Sequence, residues 1–141
     1  SGPQAWAQWC APASLREEAM HCLSKVGLAD RAGQRVDSLS GGQSQRVAIA
    51  RMLMQRPELV IADEPVASLD PKAGAEVMEL LFKLTREAGL TLLFVSHHME
   101  HAQTYADRIV GLGNGKVMMD VPSRNAQVHE LKDFFLEPAA A

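Results

Sequence analysis

Leu59-Val60-Ile61-Ala62-Asp63-Glu64-Pro65-Val66-Ala67-Ser68-Leu69-Asp70-Pro71 holds a strand, an acidic strand end and a helix start in direct succession. Residues 59–62 are an unbroken apolar run that stops at Asp63, the pattern of a short strand buried on both faces. The acids at 63 and 64 therefore sit where open α/β sheets bind ligands, at the carboxyl end of a strand. Asp70 before Pro71 predicts a helix start, because the Asp carboxylate accepts from free first-turn N–H groups and Pro is pre-set for that turn. Val77, Leu80, Leu81, Leu84 and Ala88 then lie on one side of the helix, and Gly89 stops it. Residues 90–95 read as a second buried strand. Strand, helix and strand with a right-handed crossover make an α/β sheet with a parallel part.

Upstream, Ser14 with Glu17 three residues on predicts a capping box that opens a helix. Leu15, Ala19, Cys22, Leu23 and Val26 recur at helical spacing, and Gly27 is the stop. A polar stretch leads to Leu39-Ser40-Gly41-Gly42-Gln43, where Ser40 opens a second helix with Gln43 as its capping partner. Val47, Ala50 and Leu53 give that helix an apolar face, and Pro57 ends it. No strand lies between these two helices. Residues 1–57 are thus expected to form a helical subdomain, and residues 58–141 the sheet-bearing part. Downstream, a short helix follows His98, and strands at 107–112 and 116–119 flank Asn114-Gly115, a type I′ hairpin signal. A last amphipathic helix is expected at 128–136. Residues 1–13, with Trp6 and Trp9, read as irregular.

Composition narrows the function classes. The chain has 141 residues, 47% of them hydrophobic, enough for one domain with a buried core. Net charge is −3 and the basic residues are scattered, which argues against a nucleic-acid partner. The apolar run at 90–95 is too short to cross a bilayer, so membrane association would come through another protein. Cys10 and Cys22 form no ligand cluster and read as free thiols.

Ser40-Gly41-Gly42 has the chemistry of an anion-binding helix start: free N–H groups, a positive dipole end, a hydroxyl, and glycines that admit phosphate oxygens to the backbone. Asp63 at a strand end can hold Mg²⁺, often through water, and Glu64 would face the attacking water of a hydrolysis. Two other patterns fail. Gly111-Leu112-Gly113-Asn114-Gly115-Lys116 has Val110 and Val117 at decisive positions of a phosphate loop and lies between strands, so it reads as a hairpin turn. His97, His98 and His101 with Glu100 lack the Glu that a helical zinc motif places directly after its first His.

Leu39 to Gln43 followed by Gln45-Arg46-Val47-Ala48-Ile49-Ala50-Arg51, the acidic strand 59–65, Ser68-Leu69-Asp70 and Ser96-His97 resemble the ATP-binding cassette (ABC) ATPases. The similarity runs from about residue 14 to 122. It implies a RecA-like, P-loop NTPase core contributing a partial parallel sheet, plus a helical subdomain. It also implies ATP and Mg²⁺ as cofactors, with Ser40, Gly41, Gly42, Gln43 and Asp70 binding nucleotide and Asp63 the metal. Glu64 and His97 would be catalytic, His97 contacting the γ-phosphate and orienting the water. The family pairs two cassettes head to tail, so Ser40 to Gln43 would serve ATP held mainly by the partner. Transmembrane permease subunits would be further partners, placing the protein at the cytoplasmic face of the inner membrane.

Val66-Ala67 and Tyr105-Ala106-Asp107-Arg108-Ile109-Val110-Gly111-Leu112 look like the phosphonate (or phosphite) import ATPases, although Ser96 meets His97 directly where that group often inserts Leu. No Gly-x-x-x-x-Gly-Lys-Ser/Thr occurs in the 141 residues. The chain, which starts Ser1-Gly2-Pro3, is therefore expected to be the second half of a cassette, inactive by itself, and prone to self-associate through uncovered sheet. Alternatives are a non-catalytic module that lends its signature face to a complete cassette, an importer ATPase for another solute, and an ABC ATPase acting on DNA or ribosomes. The absence of a coiled-coil insertion disfavours repair-type members of that last class.

Overall fold

The computed structural model describes residues 11–126, and its contacts divide the chain into two units, 1–94 and 95–141. In the first unit, helix α1 (Ala13–Lys25) starts earlier than the sequence suggests. Pro12 is its N-cap, and no side chain caps it. The Ser14–Glu17 capping box does not form, because the Arg16 N–H already bonds the Pro12 carbonyl at 3.2 Å and draws Ser14 inside the first turn. The end is as expected. Gly27 takes φ +73°, and the N–H groups of Gly27 and Leu28 return to the Ser24 and Leu23 carbonyls at 3.0 and 2.9 Å.

Helix α2 (Gly41–Met54) realises the box that α1 lacks. Ser40 Oγ accepts from the Gln43 N–H at 3.3 Å, and the Ser40 N–H donates to Gln43 Oε1 at 3.0 Å. Beyond its end Arg56 adopts a left-handed φ of +46°, just before Pro57. Helices α1 and α2 pack together, with Cys22 of α1, Val26 at its C-cap, and Ile49 and Ala50 of α2 all buried. Arg56 ties them further through a 2.6 Å ion pair with Glu18. Burial pushes the Cys22 thiol above its ordinary pKa.

Strand β1 (Leu59–Asp63), helix α3 (Pro71–Glu87) and strand β2 (Thr91–Val95) follow in order. The two strands pair in a parallel sheet. Asp70 caps α3 as expected, its Oδ1 accepting from the Ala73 N–H at 3.0 Å. The helix buries Val77, Met78, Leu81, Leu84 and Thr85, and Met78 is its most enclosed side chain. Leu80 is only half-buried, and Ala88, as the C-cap, is exposed.

The expectation of strands buried on both faces is corrected. Val60 is buried and Phe94 packs edge-on to Phe82 of α3, with ring centroids 5.2 Å apart. On the opposite face Leu59, Ile61 and Leu93 stay 52%, 67% and 55% exposed. Side chains alternate across a strand, so a helix on one side leaves the other face open.

In the second unit, helix α4 (Met99–Tyr105) precedes strands β3 (Arg108–Gly113) and β4 (Lys116–Pro122), an antiparallel pair. Gly113 and Lys116 close a two-residue turn with Asn114 at φ +51° and Gly115 at +73°, as a type I′ hairpin requires. Strand β4 runs beyond Met119, where the sequence reading ended it. Arg108 Nε and Nη2 each donate to a different Asp120 carboxylate oxygen at 2.6 Å. That guanidinium holds the Asp120 carboxyl below the usual range. Trp6, Trp9, Cys10 and the helix expected at 128–136 lie outside the described residues. No helix among the described residues is long and apolar enough to cross a membrane.

Candidate functional site

The N-termini of α2 and α3 open on one cleft of about 450 Å³. Its lining includes Ser40, Gly41, Gly42 and Gln43 from the start of α2 and Ser68, Leu69 and Asp70 from the loop before α3. The two structures that the sequence named separately thus face the same space. Gly41 keeps this approach uncrowded, since a Cβ on it would lie 3.0 Å from Leu69 Cδ2 and press that side chain aside. Ser40 Oγ accepts the Gln43 N–H, which leaves its own O–H to turn toward a ligand.

Arg46 also borders this cleft, and sequence reasoning missed it. Its Nη1 donates to the Val26 carbonyl at 3.3 Å and its Nη2 to Glu76 Oε2 at 3.2 Å. The guanidinium therefore fastens α2 to the end of α1 and to α3 beside the signature. A signal existed. Arg46 falls one turn after Gln43, on the same helix face.

Asp63 and Glu64 border a second cleft of the first unit, of about 420 Å³, otherwise lined largely by apolar side chains such as Ile49, Met52, Ile61 and Leu81. Asp63 is exposed and Glu64 half-buried. Glu64 takes a left-handed φ of +45°. For a non-glycine residue that conformation costs on the order of 1–2 kcal/mol, and such outliers cluster at functional sites. The Glu64 carbonyl accepts from the Ala67 N–H at 3.2 Å, which turns the chain toward Asp70.

His97 belongs to the second unit and is exposed just past β2. Its ring centroid is 4.2 Å from that of His98. Among the described residues no group of three or more His, Cys, Asp or Glu side chains is arranged to hold a metal ion. Asp63 suits Mg²⁺ in another way. The ion usually takes one or two protein carboxylates and fills its octahedron with phosphate oxygens and water, and one exposed strand-end carboxylate meets that need. The cleft with two capped helix starts and two glycines likewise fits a phosphate group.

A family model described as ABC transporter matches residues 5–67. The chain is also 56% identical over 109 residues to the phosphonates import ATP-binding protein PhnC of Frankia casuarinae, covering 77% of this chain and 43% of that one. The chain belongs to the ABC transporter ATPase family. Another ABC relative, the phosphite import ATP-binding protein PxtA of Stutzerimonas stutzeri, is 48% identical over 126 residues, 89% of this chain and 44% of that one. Among solved ABC cassettes, a dimeric post-hydrolysis state bound to ADP and Pi is 38% identical with a TM-score of 0.67, over 83% of this chain and 51% of that one. The chain spans less than half the length of these curated relatives.

Proposed function

We propose that these residues are the signature-bearing and acid-bearing part of an import ATPase whose parent couples ATP hydrolysis to uptake of phosphonate or a related phosphorus oxyanion. One observation carries the reading: the capped helix starts at Ser40 and Asp70 open on a single cleft lined by Gly41 and Gly42. The relatives named for phosphonates and phosphite import support the cargo. In this reading residues 1–57 act as the helical subdomain and residues 58–141 as part of the catalytic core. The parent works as a head-to-tail pair of cassettes on permease subunits, at the cytoplasmic face of the inner membrane.

When bound, ATP with Mg²⁺ supplies the electrophilic γ-phosphoryl group and neutralises part of its charge. Gly41 and Gly42 present backbone N–H groups, Ser40 its hydroxyl and Gln43 its side-chain amide to phosphate oxygens of the nucleotide on the partner cassette. Asp63 offers its carboxylate to the metal. Glu64 accepts a proton from the attacking water, and His97 orients that water. Asp70 holds the start of α3 and places its loop against the signature.

In the parent cassette, Glu64→Gln is expected to lower ATP turnover by about 10²–10⁴-fold while nucleotide binding persists, the ordinary contribution of a general base. Unchanged turnover would remove Glu64 from that role. The 141 residues contain no phosphate-loop lysine and cradle. Calorimetric titration of this chain alone with Mg-ATP is accordingly expected to show no tight binding. Tight one-to-one binding would sink the reading.

A further inference from the structure

We propose that His101 is a positioning residue for His97, acting through the hydroxyl of Ser96. The inference rests on the catalytic reading of His97 and adds a residue to which that reading gives no task. Ser96 follows β2 directly, and its Oγ accepts from the His98 backbone N–H at 3.0 Å. A serine that bonds two residues ahead makes a tight turn, and here His97 is the residue enclosed by it. The same Oγ lies 3.4 Å from Nδ1 of His101, in the first turns of α4. One hydroxyl therefore ties three points together: the strand end, the turn at 98 and the helix.

One donor direction is assigned to the Ser96–His101 contact. Ser96 Oγ accepts the His98 N–H with one lone pair and keeps a single proton to give. Donated to His101 Nδ1, that proton fixes a neutral imidazole with its own hydrogen on Nε2. The chain of bonds then runs from the His98 N–H through Ser96 to the His101 ring. The rings reinforce the arrangement: His98 lies with its centroid 4.2 Å from His97 and 5.1 Å from His101. Movement of His101 would release the Ser96 hydroxyl on one side and the tilted His98 ring on the other, and both adjoin the turn that carries His97. Helix α4 has no side-chain cap at His98, so the serine adds a side-chain tie to the His101 N–H bond that the His98 carbonyl accepts at 3.1 Å.

Long-range ¹H–¹⁵N spectra of the 141-residue chain test this, recorded near pH 8, where ordinary imidazoles are neutral. The expected result is a single Nε2–H tautomer at His101. In Ser96→Ala it should relax toward a mixture, and the His97 ring signals should shift with it. Ser96→Thr, which keeps the hydroxyl, should restore both patterns, and the backbone amide spectrum reports whether each variant is folded. A His101 tautomer unchanged by Ser96→Ala overturns the proposal, as does a His97 ring that stays put while His101 changes. Neither readout involves ATP. If His97 proved dispensable for hydrolysis in the parent, the catalytic reading would fall and the measured coupling would stand.

Discussion

The two units of the chain hold themselves together by different means. In the first, side chains from three helices and a strand are buried together, among them Val26, Ile49, Val60, Val77, Met78, Leu81 and Leu84. In the second, Ile109 is the one buried large apolar side chain among the described residues, while Val110, Leu112, Val117 and Met118 are exposed. Its order comes from a hairpin ladder, a type I′ turn and the Arg108–Asp120 pair. The contrast teaches that a similar density of apolar residues yields a core only where an amphipathic helix lies over it. Helix α3 provides that for the first unit, and two alternating strands cannot provide it for each other.

The contrast is broken most directly by removing core volume. Leu81→Ala, at a buried position bordering the same cleft as Val60, is expected to cost about 2–5 kcal/mol in urea unfolding. Residue-level hydrogen exchange should show the loss across the first unit and leave the hairpin amides of the second unchanged. Equal loss in both units would mean that they share one core. A reciprocal change is Gly115→Ala, which places a methyl on a residue at φ +73° and should cost about 1–2 kcal/mol. Its effect should stay within the hairpin, read as faster exchange at Gly113 and Lys116.

A smaller effect sharpens the account of the first unit. Ser40→Ala should cost about 1 kcal/mol because it removes a formed capping box, and Ser14→Ala should stay within about 0.5 kcal/mol. A Ser40→Ala cost as small as that expected for Ser14→Ala would show that the cap of α2 contributes nothing. The smallest effect is on the hairpin. Asp120 has a folded pKa held below the ordinary carboxylate value by Arg108, so their pairing stabilises the hairpin at pH values above that ordinary value. It is lost as pH falls below about 4 and through the lowered value. Hairpin exchange protection should thus be flat from pH 7 to 5 and decline below about pH 4, and in Asp120→Asn that decline should be absent.

What could be read from sequence was what a few neighbouring residues decide. Asn114-Gly115 specified a turn, Asp70-Pro71 a helix start, and Gly27 and Gly89 two helix ends, since each is governed by local dihedral preference and local hydrogen bonds. Ser14 followed the same rule and failed, because Pro12 had already closed the first turn. The single open face of the β1–β2 sheet was hidden for another reason. An apolar run records that burial is favourable and says nothing about which element supplies it. At the candidate site the residue types at 40–43, 63, 64, 70 and 97 were legible one by one. The cleft shared by Ser40 and Asp70 and the bonds of Arg46 to Val26 and Glu76 arise from approaches across the fold, which spacing does not encode.

The fit between Gly41 and Leu69 has a mechanical consequence. A Cβ added at Gly41 would lie 3.0 Å from the leucine methyl, so the start of α2 and the loop before α3 leave little room between them for a side chain. A methyl at position 41 would act as a wedge between them. The cleft that Ser40 and Asp70 both line would take up that displacement.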